Sequence, residues 1–191
     1  MKEKILLIGG GGHCKSVIDV IEQENRFIIA GIIDKKELIG QRVLGYKVIG
    51  SDDDLEELFK QYRYALITVG QIKSNVIRVK LFYKLKDIGY NLPIIISPLS
   101  YVSKYASIDE GTIIMHGVII NADAKISSNC IINTKALIEH DVSVGTHCHI
   151  STATILNGGT SVEEHSFVGS NATTKEYINI SGFIKAGSMR K

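Results

Sequence analysis

The 191 residues are 45% hydrophobic and 22% charged, with 18 Gly, 2 Pro and no Trp, a balance that excludes disorder and predicts a soluble folded chain of one large or two small domains. The longest apolar run, Phe27–Ile33, is too short to span a bilayer or form a signal-peptide core, so a cytoplasmic protein with no membrane span is expected. A net charge of +2 without a basic run excludes counterion-driven binding of nucleic acid, and Cys14, Cys130 and Cys148, with no CxxC spacing, form neither a disulfide framework nor a structural zinc site.

In chain order, residues 4–8 read as a strand that runs into Gly9-Gly10-Gly11-Gly12, and residues 13–21 carry apolar positions at helical spacing. Residues 27–33 and 65–69 read as further buried strands. Ser51 followed by three aspartates marks a helix start before residues 55–59, a last helix is expected over 74–87, and residues 94–96 read as a closing strand. This alternation predicts a small α/β domain with a mostly parallel sheet. A glycine loop between strand and helix lets backbone approach a phosphate at a helix N-terminus. Gly9 and Gly11 supply the first two glycines of G-x-G-x-x-G, but Cys14 stands at the third, and Asp34 could bond a ribose hydroxyl. A nucleotide-linked substrate fits this loop better than a tightly bound nicotinamide; a tight turn without a ligand remains the alternative.

The second half follows a different rule. Stepping by six from Val102 to Ala186 meets Val, Ile or Leu at thirteen of fifteen positions, with no insertion. Two places before most of these stands a small or short residue, such as Ala106, Thr112, Ala124, Cys130, Ala136, Cys148, Thr154, Thr160, Ser166 or Ala172. A strict six-residue period predicts a parallel β-helix whose triangular coils hold 18 residues, so residues 18 apart stack about 4.8 Å apart. Cys130 and Cys148 then stack as core filler, and His147 and His165 stack on one face, a pair without a third metal ligand. His140, between Glu139 and Asp141, falls at a prism corner. Its vertical neighbours are Ala122 and Gly158, small residues expected to leave room for a substrate. Histidine beside a carboxylate suits general-base work near neutrality, and a solvated surface histidine is the alternative. Asn133 could position a substrate or simply stabilise its corner.

The hexads, the Gly-Gly-Gly-Gly-His segment, Asn133-Thr134, Ile138-Glu139-His140, Ile150-Ser151 and Phe167-Val168-Gly169 resemble the hexapeptide-repeat sugar acetyltransferases. The branch concerned holds sialic-acid O-acetyltransferases and N-acetyltransferases of nucleotide-linked 4-amino-4,6-dideoxysugars, enzymes of surface polysaccharide or glycan biosynthesis. The resemblance implies an α/β Rossmann-like nucleotide-sugar-binding domain over residues 1–97 and a left-handed parallel β-helix over 98–191. It also implies a homotrimer with acetyl-CoA as co-substrate between neighbouring β-helices, and no metal. On the matching positions it implies His140 as general base supported by Asp141. It further implies His149, Ser170 and Gly187 at acetyl-CoA, and Gly11, Gly12, His13, Asp34 and Gly70 at the nucleotide sugar. Direct transfer to a sugar amine is the implied reaction. Leu156-Asn157-Gly158 and Lys15-Ser16 also resemble the O-acetyl subgroup, and a non-catalytic β-helix assembly module is the alternative from another class. The family usually ends in a further coil and a Val-x-Gly-x-Pro-Ala tail, whereas this sequence stops at Met189-Arg190-Lys191, so part of the adenine pocket is expected to be missing or built differently. Thr174 and Lys175 stand where relatives carry apolar residues, and looser last coils are expected there.

Overall fold

The computed structural model describes residues 2–191 and divides into two compact units, one comprising the chain up to Gly70 with Val76–Pro93 and the other Gln71–Asn75 with Ile94–Lys191.

The first unit is an α/β sandwich. Its strands are β1 (Glu3–Ile8), β2 (Phe27–Ile33), β3 (Arg42–Val43), β4 (Tyr46–Gly50) and β5 (Tyr64–Ile67), in the order β3-β4-β2-β1-β5. All pairings are parallel except the β3–β4 hairpin, whose strands the sequence pattern did not signal. Ile5, Leu6, Leu7 and Ile8 are all buried, as a central parallel strand covered on both faces requires. Helix α1 (Gly12–Glu24) buries Cys14, Val17, Ile18, Val20 and Ile21, the spacing of one helical face, and stops at Asn25, which adopts the left-handed conformation (φ +57°). Ser51 accepts its role as helix start: its backbone N–H and hydroxyl both donate to Asp54 Oδ2, at 2.8 and 2.9 Å. That cap opens a 3₁₀ turn that leads into α2 (Leu55–Phe59), and α3 follows over Val76–Ile88, two residues later than expected. Leu55, Leu81, Phe82 and Leu85 from these helices pack with Leu6, Ile8 and Ile67 of the sheet.

The second unit is a parallel β-helix of two-residue strands on three sides. Side one runs from Ile95–Ile96 to Phe183–Ile184, side two from Tyr101–Val102 to Met189–Arg190, and side three from Ser107–Ile108 to Asn179–Ile180. Up to the last coil each strand pairs with the one 18 residues on, such as Ile119 with Leu137 and Lys125 with Ser143. The second residue of the strands before Met189–Arg190 points inward, and Ile114, Ile120, Ile126, Ile132, Ile138, Val144, Ile150 and Leu156 form one apolar column with Ala124, Cys130, Ala136 and Cys148. Truncating one such residue to Ala is worth about 2–5 kcal/mol, because a prism interior collapses poorly around a cavity.

Three expectations need correction. Ile95–Ile96 does not close the α/β sheet; it pairs with Ile113–Ile114 and opens side one of the prism. The hexad count assigns Ala186 inward, yet Ala186 is exposed and Ile184 is buried, because the last coil is two residues short and Phe183 pairs with Phe167 only 16 residues back. Gly182, at φ +71°, makes the tightened corner, and its N–H donates to Ser166 Oγ at 3.0 Å. Thr174 does not leave a loose core: it is buried, and its hydroxyl accepts from Asn157 N at 2.9 Å and meets Thr160 Oγ1 at 2.9 Å. The strand remains in the ladder, with Thr173 registered on Ile155 and Thr174 on Arg190.

From Gly111 onward each corner holds one residue in the left-handed region, so these residues form ladders. Asp123, Asp141, Gly159 and Tyr177 line the corner between sides two and three; Gly111, Asn129, His147 and His165 the corner between sides three and one. Asn, Asp, His and Gly tolerate this conformation best and recur at that hexad position, whereas Lys135, Ala153 and Tyr177 occupy it against their preference. Among the described residues no helix is long and apolar enough to cross a membrane, and no group of three or more side chains could hold a metal ion.

Candidate active site

His140 and Asp141 sit at the corner between sides two and three, just after the inward Ile138. The left-handed turn at Asp141 (φ +59°) folds its carboxylate back onto the preceding side chain, and Asp141 Oδ2 lies 2.8 Å from His140 Nδ1. Both side chains are about half exposed. The Asp141 hydrogen bond holds the imidazole above its ordinary pKa, against an opposing contribution from desolvation, and the Asp141 and Glu139 charges add to it. A carboxylate on Nδ1 fixes the neutral ring with its proton there, so Nε2 carries the lone pair. Gly158 of the next coil lies against the ring: a β-carbon there would come within 2.7 Å of Cε1 and Nε2. The stacking expected from the 18-residue rule is therefore present, but the imidazole itself occupies the space that was expected to stay open at Gly158. Glu139 is held by Asn121 Nδ2 at 2.8 Å.

A second group lies along side one and its corner with side two. His149 is buried, with Nδ1 on the Gln71 carbonyl and Nε2 3.1 Å from Asn133 Nδ2. Asn133 Oδ1 in turn accepts from Thr134 N at 2.8 Å. Both ring nitrogens of His149 are thus engaged within the chain, so it offers a ligand a ring edge rather than a hydrogen bond. Ser170 Oγ is 2.9 Å from Ser151 Oγ, and the Ser170 carbonyl accepts from Gly187 N at 2.8 Å. The 140–141 pair and the 133, 170 and 187 corner occupy opposite edges of side two, so one chain does not bring them together.

The α/β unit supplies a third group, at the carboxyl ends of β1, β2 and β5, where the strand order reverses around β1. Asp34 Oδ2 accepts from Gly10 N at 2.6 Å and Oδ1 from Lys35 N at 2.8 Å, so this carboxylate anchors the glycine loop. Gly11 caps α1 without a side chain, and space is open around Gly11 and Gly12 at the helix N-terminus. Gly70 lies against His13, with a β-carbon at Gly70 coming to 3.5 Å of His13 Cβ. A cleft of about 500 Å³ adjoins the loop, lined by Gly9, Asp34, Lys36, Asp53, Val69 and Ile77, with Lys36 and Asp53 paired at 2.7 Å. The five residues expected at a nucleotide sugar are therefore gathered around one strand end. Burial pushes the thiol of Cys14, just inside, up to about 11, which disfavours the thiolate. Tyr177 shares the Asp141 corner, at a hexad position where Asp and Gly recur.

Residues 4–85 match the family described as the PglD N-terminal domain. PerB from Caulobacter crescentus, solved with CoA and GDP-perosamine, is 35% identical over 97% of this chain and 87% of its own, with a TM-score of 0.90. A variant of that perosamine N-acetyltransferase with one histidine replaced by asparagine, again with CoA and GDP-perosamine, is 34% identical over the same shares, with a TM-score of 0.91. The acetyltransferase domain of PglB from Neisseria gonorrhoeae is 26% identical over 98% of this chain and 91% of its own, with a TM-score of 0.90. No curated protein sequence matches. The architecture is that of a Rossmann-like α/β unit followed by a left-handed parallel β-helix. Within that class, the chain belongs to the hexapeptide-repeat sugar acetyltransferases.

Proposed function

We propose that this enzyme transfers acetyl from acetyl-CoA to the amine of a nucleotide-linked 4-amino-4,6-dideoxysugar, in cytoplasmic assembly of a surface glycan. The observation that carries this is the 2.8 Å bond from Asp141 to His140 Nδ1, which leaves Nε2 as the base. The sugar amine attacks the thioester carbonyl while Nε2 takes the amine proton; the C–N bond forms, the C–S bond breaks, and the CoA thiolate takes that proton back from the imidazolium. No acyl-enzyme is involved, since Cys130 and Cys148 are buried in the prism core and Cys14 is a protonated thiol. A backbone N–H at the prism edge would stabilise the oxyanion. Gly11, Gly12, His13, Asp34 and Gly70 hold the nucleotide sugar, with its phosphates toward the open N-terminus of α1. The amine acceptor is supported by the N-acetyltransferase relatives solved with CoA and GDP-perosamine.

The active form is a homotrimer in which side two of one copy meets a neighbour. Its outward residues Tyr101, Ile119, Leu137 and Ile155 are apolar, whereas side three presents Ser107, Lys125, Ser143 and Asn179. Such packing lets the corner bearing Asn133, Ser170 and Gly187 from one copy approach His140 of the next, with acetyl-CoA between them. A CoA-thiol release assay with acetyl-CoA and a panel of UDP-, GDP- and dTDP-linked 4-amino sugars, plus free sialic acid, tests the reaction. Turnover with an amino sugar that His140→Ala abolishes is expected. Turnover with sialic acid alone transfers the enzyme to O-acetylation, and activity unchanged in His140→Ala removes the general-base role.

A further inference from the structure

Tyr177 is the bulkiest residue at a left-handed corner of the β-helix, with φ +53° and its side chain 74% exposed. A bulky side chain is strained in a conformation that glycine adopts freely, and the ring held there stays largely exposed, so the strain calls for a use. Its ring lies across Gly159: a β-carbon at Gly159, itself at φ +67°, would fall 2.2 Å from Tyr177 Cδ1 and 2.4 Å from Cε1. Tyr177 N donates to the Gly158 carbonyl at 2.9 Å, and Gly159 N donates to the His140 carbonyl at 2.9 Å. The Gly158-Gly159 step therefore carries the imidazole of His140 on one residue and the phenol ring of Tyr177 on the next, and no side chain intervenes.

Asp141, Gly159 and Tyr177 follow one another at 18-residue steps, which places Tyr177 about 10 Å along the prism from the dyad. That distance separates the two substrates by chemistry. A nucleotide sugar presents its diphosphate at such a remove from the reacting amine, and a phenol ring brings no positive charge to it. A thioester donor presents the uncharged, methyl-bearing pantetheine arm, which an exposed aromatic face suits. Tyr177 also stands toward the same end of the prism as Ser170 and Gly187. The geometry points to Tyr177 as a positioning residue for the acyl donor, its ring forming a wall against which the pantetheine arm packs. This rests on the acetyl-CoA reading above.

The test uses the full chain and CoA itself as the probe, in calorimetric titrations of the wild type, Tyr177→Gly and Tyr177→Phe. Glycine removes the ring and suits the backbone, so its melting temperature should equal or exceed that of the wild type. Its CoA affinity and its KM for acetyl-CoA should both worsen by about three- to tenfold, with kcat and the nucleotide-sugar KM within about twofold. Phenylalanine should restore wild-type binding. Wild-type binding by Tyr177→Gly, or an equal loss in Tyr177→Phe, overturns the inference. A wild type that does not bind CoA at all overturns the acetyltransferase reading instead.

Discussion

The Cα of Gly158 backs directly onto the imidazole of His140, so that a β-carbon there would sit 2.7 Å from Nε2 and 3.3 Å from Nδ1. Alanine at 158 meets no backbone obstacle, and the exposed imidazole is what must move. Gly158→Ala should therefore lower kcat by at least about tenfold while the melting temperature changes little, since positioning within fractions of an ångström governs proton transfer. Nuclear magnetic resonance of the His140 ring should show its pKa falling toward the ordinary value as the Asp141 bond is lost. A variant with wild-type kcat would show that the ring does not need this position.

The period of six made most of this geometry legible in advance, because one inward residue per side and a vertical step of 18 determine which residues meet. His140 over Gly158 and His147 over His165, whose rings stack at 5.0 Å, both follow from counting. Counting fails where the coil changes length, and the two-residue loss after Ile180 moved the inward position from Ala186 to Ile184. Ile95–Ile96 belongs to the prism rather than the α/β sheet, a distinction that a short apolar run cannot carry because it looks the same in both. Asp34 had a legible type and place, but its two bonds to Gly10 and Lys35 depend on loop geometry that no spacing encodes.

Asp141→Asn separates the carboxylate's charge from its shape. Asparagine tolerates the left-handed corner as well as aspartate does, so folding should be unaffected. Asp141 holds the His140 pKa above its ordinary 6.5. On the proposed mechanism the neutral imidazole is the base, so wild-type activity should fall as pH drops through that raised value. Removing the charge lowers the pKa, and the acid limb of the kcat profile should shift to lower pH. The plateau should fall about tenfold or more as the base weakens. An acid limb that stays in place would assign the titration to another group.

Arg78 gives a prediction about stability rather than chemistry. Its guanidinium is buried in the α/β unit, and Nη1 donates to the carbonyls of Ile67 and Val69 at 2.6 and 3.1 Å, tying α3 to the end of β5 just before Gly70. Arg78→Met keeps much of the volume but strands two buried acceptors, and hydrogen bonds to a charged donor are worth about 1.5–3 kcal/mol each. Denaturant unfolding should show a loss of about 3 kcal/mol. A loss below about 1 kcal/mol would mean that water replaces the guanidinium.

Asp34→Ala tests whether the glycine loop serves the sugar nucleotide and nothing else. The carboxylate accepts from Gly10 N at 2.6 Å and from Lys35 N at 2.8 Å, so its removal frees the turn that opens α1 and unsettles the amides that would meet a diphosphate. A charge-assisted bond of this kind is worth about 1.5–3 kcal/mol, which converts to a rise of at least about tenfold in the nucleotide-sugar KM. The acetyl-CoA KM should stay unchanged, because no residue assigned to the coenzyme lies in this unit. Asp34→Asn, which keeps an acceptor for Gly10 but loses the charge, should fall between. Steady-state kinetics with each substrate varied in turn makes the comparison, and an equal rise in both KM values would mean that the loop shapes the whole enzyme rather than one of its sites.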